Sequence, residues 1–188
     1  MSVISIYRLE FVRFNECYDN PNTIRCIHMT SLRSLDQLNI ATAVGCAICG
    51  GVFFAFSTFV MPALVRMPAA EGAAAMQSIN VKAPNPLFMF ALFGSAIGCI
   101  VLAVFGRGDL PDQRGMFRVA AAGVFLVGIV LTVAYHVPKN NALATLDPRA
   151  IDTALLWKAY ATSWTRWNHL RAATSIAAST LLIVAARA

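Results

Sequence analysis

The segment Trp164-Thr-Arg-Trp-Asn-His-Leu-Arg171 crowds aromatic and ionisable side chains into the start of the last long apolar run of the chain. At about 100° per residue, Trp164, Trp167, Asn168, Arg171, Ser175 and Ser179 share one helix face, and His169 falls off it. Arg171 carries the most information. A guanidinium roughly one turn inside a membrane span is costly unless it snorkels, pairs or faces a wet cavity. None of the apolar runs holds a carboxylate to pair with it, so its natural partners are amides, carbonyls, water or an anionic ligand. Snorkelling to lipid headgroups is the competing account. Asn168 lies on the same face, and an amide inside a span normally finds hydrogen-bond partners on other helices. Trp164 and Trp167 suit either an aromatic belt at the membrane interface or stacking on a ligand.

His136 has the titration range of a general base, and as a lone histidine at a helix end it equally fits a satisfied interfacial residue. Cys46-Ala-Ile-Cys49 is a C-x-x-C pair deep in an apolar run, without a charged neighbour to stabilise a thiolate. It reads as two buried small hydrophobes. Five cysteines, an odd count with three in apolar segments, make no disulfide framework. Three histidines and no intramembrane carboxylate offer no metal-ligand spacing, so neither a metal site nor a cofactor is expected. No span carries the paired ionisable groups of a transporter.

These residues need elements to hold them, and composition says which. Of 188 residues, 58% are hydrophobic and 13% charged, and the few charges sit between apolar runs. That is a membrane composition, with the lipid bilayer as the solvent for much of the surface. The net charge of +6, from 15 Lys and Arg against 9 Asp and Glu, is spread as flanking residues of apolar runs. Headgroup anchoring explains it, and no run of basic residues points to nucleic acid.

Residues 1–36 are interrupted by Arg8, Glu10, Arg13, Glu16 and Asp19. They read as a poorly structured leader, or as sequence upstream of a true start at Met29. Residues 37–188 form one domain with spans at about 38–65, 85–106, 118–138 and 166–186. In the first, Ala43, Ala47, Gly51 and Ala55 recur every fourth residue, and Gly94 and Gly98 do so in the second, the spacing for close helix approach in lipid. Pro62 is expected to close the first span and Pro138 to end or kink the third. In the loops, Pro68 opens one short helix, and Asp147 with Pro148 caps and starts another running through Tyr160.

The fold class expected is therefore all-α, an integral membrane four-helix bundle with two interfacial helices in the long loops on one side. Four spans put both long loops on the same membrane face. Ser57, Asn80, Asn85, His136, Asn140, Asn141, Trp164, Trp167, Asn168 and Arg171, scattered in sequence, then converge at one mouth. Arg107, Arg114 and Arg118 in the short turn assign the termini to the cytoplasmic side under the positive-inside tendency. Oligomeric state is not readable.

The ordered set Gly50-Gly-Val-Phe-Phe-Ala-Phe-Ser-Thr-Phe-Val-Met-Pro-Ala-Leu64, Met76-Gln-Ser-Ile-Asn80, Asn85-Pro-Leu-Phe-Met89, Pro138-Lys-Asn-Asn-Ala-Leu143 and Trp164 to Arg171 resembles a family of small four-helix membrane proteins. Its domain is of unknown function, and the family includes the anthrone oxygenases of aromatic polyketide pathways. The resemblance covers about residues 38–186. It implies oxygen insertion into an activated aromatic methylene without a bound metal or flavin. His136 is then the candidate base, Arg171 the candidate cation, and Asn140, Asn168 and the tryptophans the cradle for a lipophilic substrate. A non-enzymatic membrane protein that binds a lipophilic ligand or a membrane partner is the alternative.

Overall fold

The computed structural model describes residues 23–107 and 112–188, with side chains from Ser34 onward. The chain divides into two units, Met1–Leu38 and Asn39–Ala188, and the candidate functional residues belong to the second. Among the described residues every element is helical. Helix α1 (Thr23–Ala55) runs through a π-helical turn (Phe56–Val60) into α2 (Met61–Arg66). Then come α3 (Ala69–Lys82), α4 (Pro86–Gly106) and α5 (Gln113–Leu131). A second π-helical turn (Thr132–His136) leads into α6 (Val137–Ala144), and α7 (Thr153–Ala185) completes the chain. Residues 23–36 of the expected leader are thus helical, and the rest of it, 1–22, lies outside the described residues.

Three stretches are long and apolar enough to cross a membrane: Ser34–Arg66, Pro86–Gly106 and Gln113–Ala144. Their outward faces carry large apolar side chains such as Ile48, Phe54, Phe90, Ile97, Val130 and Val133, each about half exposed or more, as a lipid-facing surface requires. The fourth expected span falls inside α7, which is long enough but is not among the three. Asn168, His169 and Arg171 lower its apolarity, and Asn168 and Arg171 are buried against other helices.

Neither Pro62 nor Pro138 ends its helix. Each stands two residues beyond a π-helical turn, and the chain stays helical to Arg66 and to Ala144. A proline inside a helix lacks an N–H, and its ring presses on the carbonyl four residues back. The wider turn just before it absorbs that clash. A second difference concerns the loop helices. α3 forms as expected behind Pro68, but the helix expected from Asp147 starts only at Thr153 and is continuous with α7. The Asp147 carboxylate accepts from the Arg149 N–H at 3.0 Å, closing a local turn instead of capping a helix. Asn85 is the N-cap of α4, its side chain accepting from the Phe88 N–H at 3.0 Å, with Pro86 in the first turn.

The small-residue stripes also correct the sequence reading. Ala43 is buried, but Ala47 and Gly51 are exposed, and open space surrounds Gly51 and Gly94. Close approach is made by Gly45, where a Cβ would strike the Ser95 hydroxyl, and by Gly98, where it would strike that of Thr42. These contacts join α1 to α4. We expect Gly98→Val to cost about 1–3 kcal/mol through overpacking, read as a lower unfolding midpoint in detergent, whereas Gly94→Ala leaves the midpoint unchanged or higher. Equal losses in the two variants would contradict this packing. Across the α1–α7 seam, the Asn39 amide donates to the Leu182 carbonyl at 2.7 Å and the Ser179 hydroxyl to the Ala43 carbonyl at 2.8 Å. Cys46, Cys49 and Cys99 are buried free thiols, and the sulfur nearest Cys46 across a helix contact is Cys99 at 4.0 Å.

Candidate functional site

Above these seams the two π-helical turns and α7 meet. The inward face of α7 runs Trp157, Tyr160, Ala161, Trp164, Asn168, Arg171, all buried. Periodicity puts them there, since steps of three and four keep one helix face. Asn168, fully buried, donates through Nδ2 to the Phe53 carbonyl at 2.7 Å and to the Ser57 hydroxyl at 2.9 Å. It thereby ties α7 to the first π-helical turn and the end of α1. The Phe53 ring in turn faces Arg171, whose Cζ lies 3.8 Å from the ring centroid. That contact offsets part of the cost of burying a guanidinium that is only 6% exposed.

His136 ends the second π-helical turn and is buried. Its Nδ1 lies 3.1 Å from the Leu131 carbonyl oxygen. A carbonyl only accepts, so Nδ1 carries the proton and Nε2 presents a lone pair. The ring is held edge-on to Trp164 at 5.1 Å and to Tyr135 at 5.4 Å. Trp164 is itself fixed. Its Nε1 donates to Asn140 Oδ1 at 2.9 Å, the same atom that accepts from the Tyr160 hydroxyl at 2.9 Å. Asn80 lies beside that phenol, and burial pushes the Tyr160 hydroxyl above its ordinary value, keeping it a neutral donor.

Five buried polar atoms in this region have no hydrogen-bond partner in the protein: Asn80 Nδ2 and Trp157 Nε1 around Tyr160, and His136 Nε2, Asn168 Oδ1 and Arg171 Nε. Leaving such groups unpaired costs about 1–3 kcal/mol each. The last three are two acceptors and one cationic donor, and the charge of Arg171 acts on His136. Among the described residues no group of three or more His, Cys, Asp or Glu side chains gathers where it would hold a metal ion.

Of the residues singled out in sequence, His136, Asn140 and Trp164 are joined by direct contacts, with Asn80 beside Tyr160, while Ser57, Asn168 and Arg171 meet around Phe53, and the charge of Arg171 acts on His136. Asn85 is an exposed cap, Asn141 is exposed, and Trp167 is 41% exposed with its ring tilted against Tyr135 at 5.6 Å. Sequence reasoning missed Phe53 as the ring under the guanidinium and Tyr160 as the partner of Asn140. Phe53 is one of four phenylalanines, with Phe54, Phe56 and Phe59, at the end of α1 and in the turn after it, so nothing in the pattern marks it. The π-helical turns had a signal, the mid-helix prolines. A hydrophobic cluster of Met61, Leu64, Met76, Leu143, Trp157 and Tyr160, drawn from α2, α3, α6 and α7, packs around Trp164.

A family model described as anthrone oxygenase matches residues 86–181, a stretch that takes in His136, Asn140, Trp164, Asn168 and Arg171. The Gly50–Leu64 and Met76–Asn80 motifs lie outside that match. No curated protein and no solved structure gives a significant match to the chain.

Proposed function

The chain belongs to the anthrone oxygenase family, and from that premise we propose that it is a four-span membrane oxygenase, independent of metal and flavin, acting on a lipophilic aromatic substrate with an acidic methylene. The observation that carries this reading is that Nε2 of His136 and Nε of Arg171 are both buried without a hydrogen-bond partner in the protein, with the charge of Arg171 acting on His136. A base and a cation held together are what enolate chemistry requires.

In this scheme Nε2 takes one proton from the methylene while Nδ1 stays bound to the Leu131 carbonyl. The electron pair moves into the ring system as an enolate, which the guanidinium of Arg171 stabilises. The enolate carbon then reduces dioxygen and bonds to it, forming a peroxide that the imidazolium protonates. His136, neutral again, takes the second methylene proton as the O–O bond breaks. The carbonyl forms, hydroxide leaves, and the imidazolium returns its proton to give water. Substrate methylene plus dioxygen becomes ketone plus water, and the balance closes without a further reductant.

Oxygen uptake by the purified protein in lipid nanodiscs, with an anthrone as substrate, tests the proposal. One dioxygen consumed per ketone formed supports it. No uptake above the uncatalysed rate, with Arg171→Ala and Asn168→Ala lowering thermal stability only, favours the non-enzymatic alternative. The same reading places α7 across the bilayer from about residue 166 and both termini on the cytoplasmic side. A C-terminal tag in sealed right-side-out vesicles should resist external protease, and its cleavage would reverse the orientation.

A further inference from the structure

We propose that the outer face of α7 ahead of its membrane crossing binds the anionic headgroup of a phospholipid. A groove of about 480 Å³ lies there, its lining including Leu155, Lys158, Ala159, Thr162, Arg166 and Trp167. Lys158, Thr162 and Arg166 follow one another at four-residue steps, so the two cations flank a hydroxyl on one helix face. α7 has no Asp or Glu over its 33 residues, and the cations therefore have no carboxylate on their own helix. Trp167 leans on Tyr135 at 5.6 Å, and Lys139 Nζ stands 5.9 Å from the Tyr135 ring centroid. A third cation thus borders the same aromatic pair.

The occupant follows from the two halves of this surface. Lys158 and Arg166 call for a phosphate, which free inorganic phosphate would satisfy. Leu155, 73% exposed, and Trp167 call for an apolar body beside it, and only an amphiphile uses both. The groove lies just before the segment proposed to enter the bilayer, where basic and aromatic residues meet lipid headgroups. This placement rests on the reading of α7 as a crossing helix, and it requires no catalytic activity.

The test titrates the detergent-solubilised protein with phosphatidylglycerol, phosphatidylcholine or inorganic phosphate and follows the unfolding temperature. Phosphatidylglycerol should raise it with saturable affinity, and the other two should not. Each basic residue near an anionic surface contributes about fivefold in affinity, so Lys158→Gln/Arg166→Gln should weaken the effect about thirtyfold. Lys158→Arg/Arg166→Lys should retain it. Equal stabilisation by phosphatidylcholine, stabilisation by phosphate alone, or an unchanged response in the glutamine variant would overturn the site. Incorporation of wild type into phosphatidylcholine nanodiscs is the separate check on the crossing itself. Failure there overturns the membrane placement, whereas loss of lipid preference with normal incorporation overturns this site alone.

Discussion

Arg171→Ala should lower turnover of an anthrone substrate by about a hundred- to a thousandfold, the usual loss when a charge-stabilising donor is taken from a developing oxyanion. The guanidinium is buried, stacked on Phe53 and without a hydrogen-bond partner at Nε. A structural arginine at that depth would be expected to have its donors satisfied by carbonyls or a carboxylate. Losing the ring contact costs stability as well, about 0.5–2 kcal/mol, so the informative quantity is kcat at a temperature where the variant remains folded. Arg171→Lys keeps the charge but loses the planar fork. It should recover part of the rate. If Arg171→Ala turns over at the wild-type rate, the guanidinium does not stabilise charge in the reaction and the mechanism fails.

His136→Ala should cost about a hundred- to ten-thousandfold in kcat, the range for removing a positioned general base. The sharper variant is His136→Asn. Its amide N–H has the reach to bond the Leu131 carbonyl that now accepts from Nδ1 at 3.1 Å, while no basic lone pair replaces Nε2. Turnover should therefore fall as far as in the alanine variant while the unfolding midpoint stays nearer to wild type. A purely structural histidine predicts the reverse pairing, with kcat retained in His136→Asn. In the proposed scheme His136 and Arg171 act on the same enolate, so the double variant should lose less than the product of the two single losses.

Much of the site was legible because its residues violate their surroundings. Arg171, Asn168 and His136 stand out as polar groups in apolar runs, and the period of 3.6 assigns the first two to one face while excluding His169, which is exposed. Their orientation was not legible. Which nitrogen of His136 bears the proton depends on the Leu131 carbonyl, a backbone atom brought within reach by a π-helical turn. In the sequence Pro62 reads as a terminator and Pro138 as a terminator or a kink, because a proline removes a helical hydrogen bond. The structure keeps both helices going by widening the preceding turn.

The spans show the same division. The uncharged runs expected as spans at about 38–65, 85–106 and 118–138 coincide with the cores of the three long apolar stretches Ser34–Arg66, Pro86–Gly106 and Gln113–Ala144. Absence of charge did not say which small residues face a neighbour. Ala43 does, Ala47 and Gly51 do not, and Gly45 and Gly98 make the closest approaches. Spacing at every fourth residue defines a stripe on each helix, but the stripe that is used depends on the side chain opposite, Ser95 and Thr42 here. The fourth expected span falls inside α7, which is not among the three apolar stretches, because Asn168, His169 and Arg171 lower the apolarity of its first turns there.

The most direct test of the central claim is a turnover under isotopically heavy dioxygen in ordinary water, with mass analysis of the ketone product before exchange. The account predicts one heavy oxygen atom in the new carbonyl of each product molecule and the other in water. A product whose new oxygen is light, or dioxygen uptake without ketone formation, would contradict it.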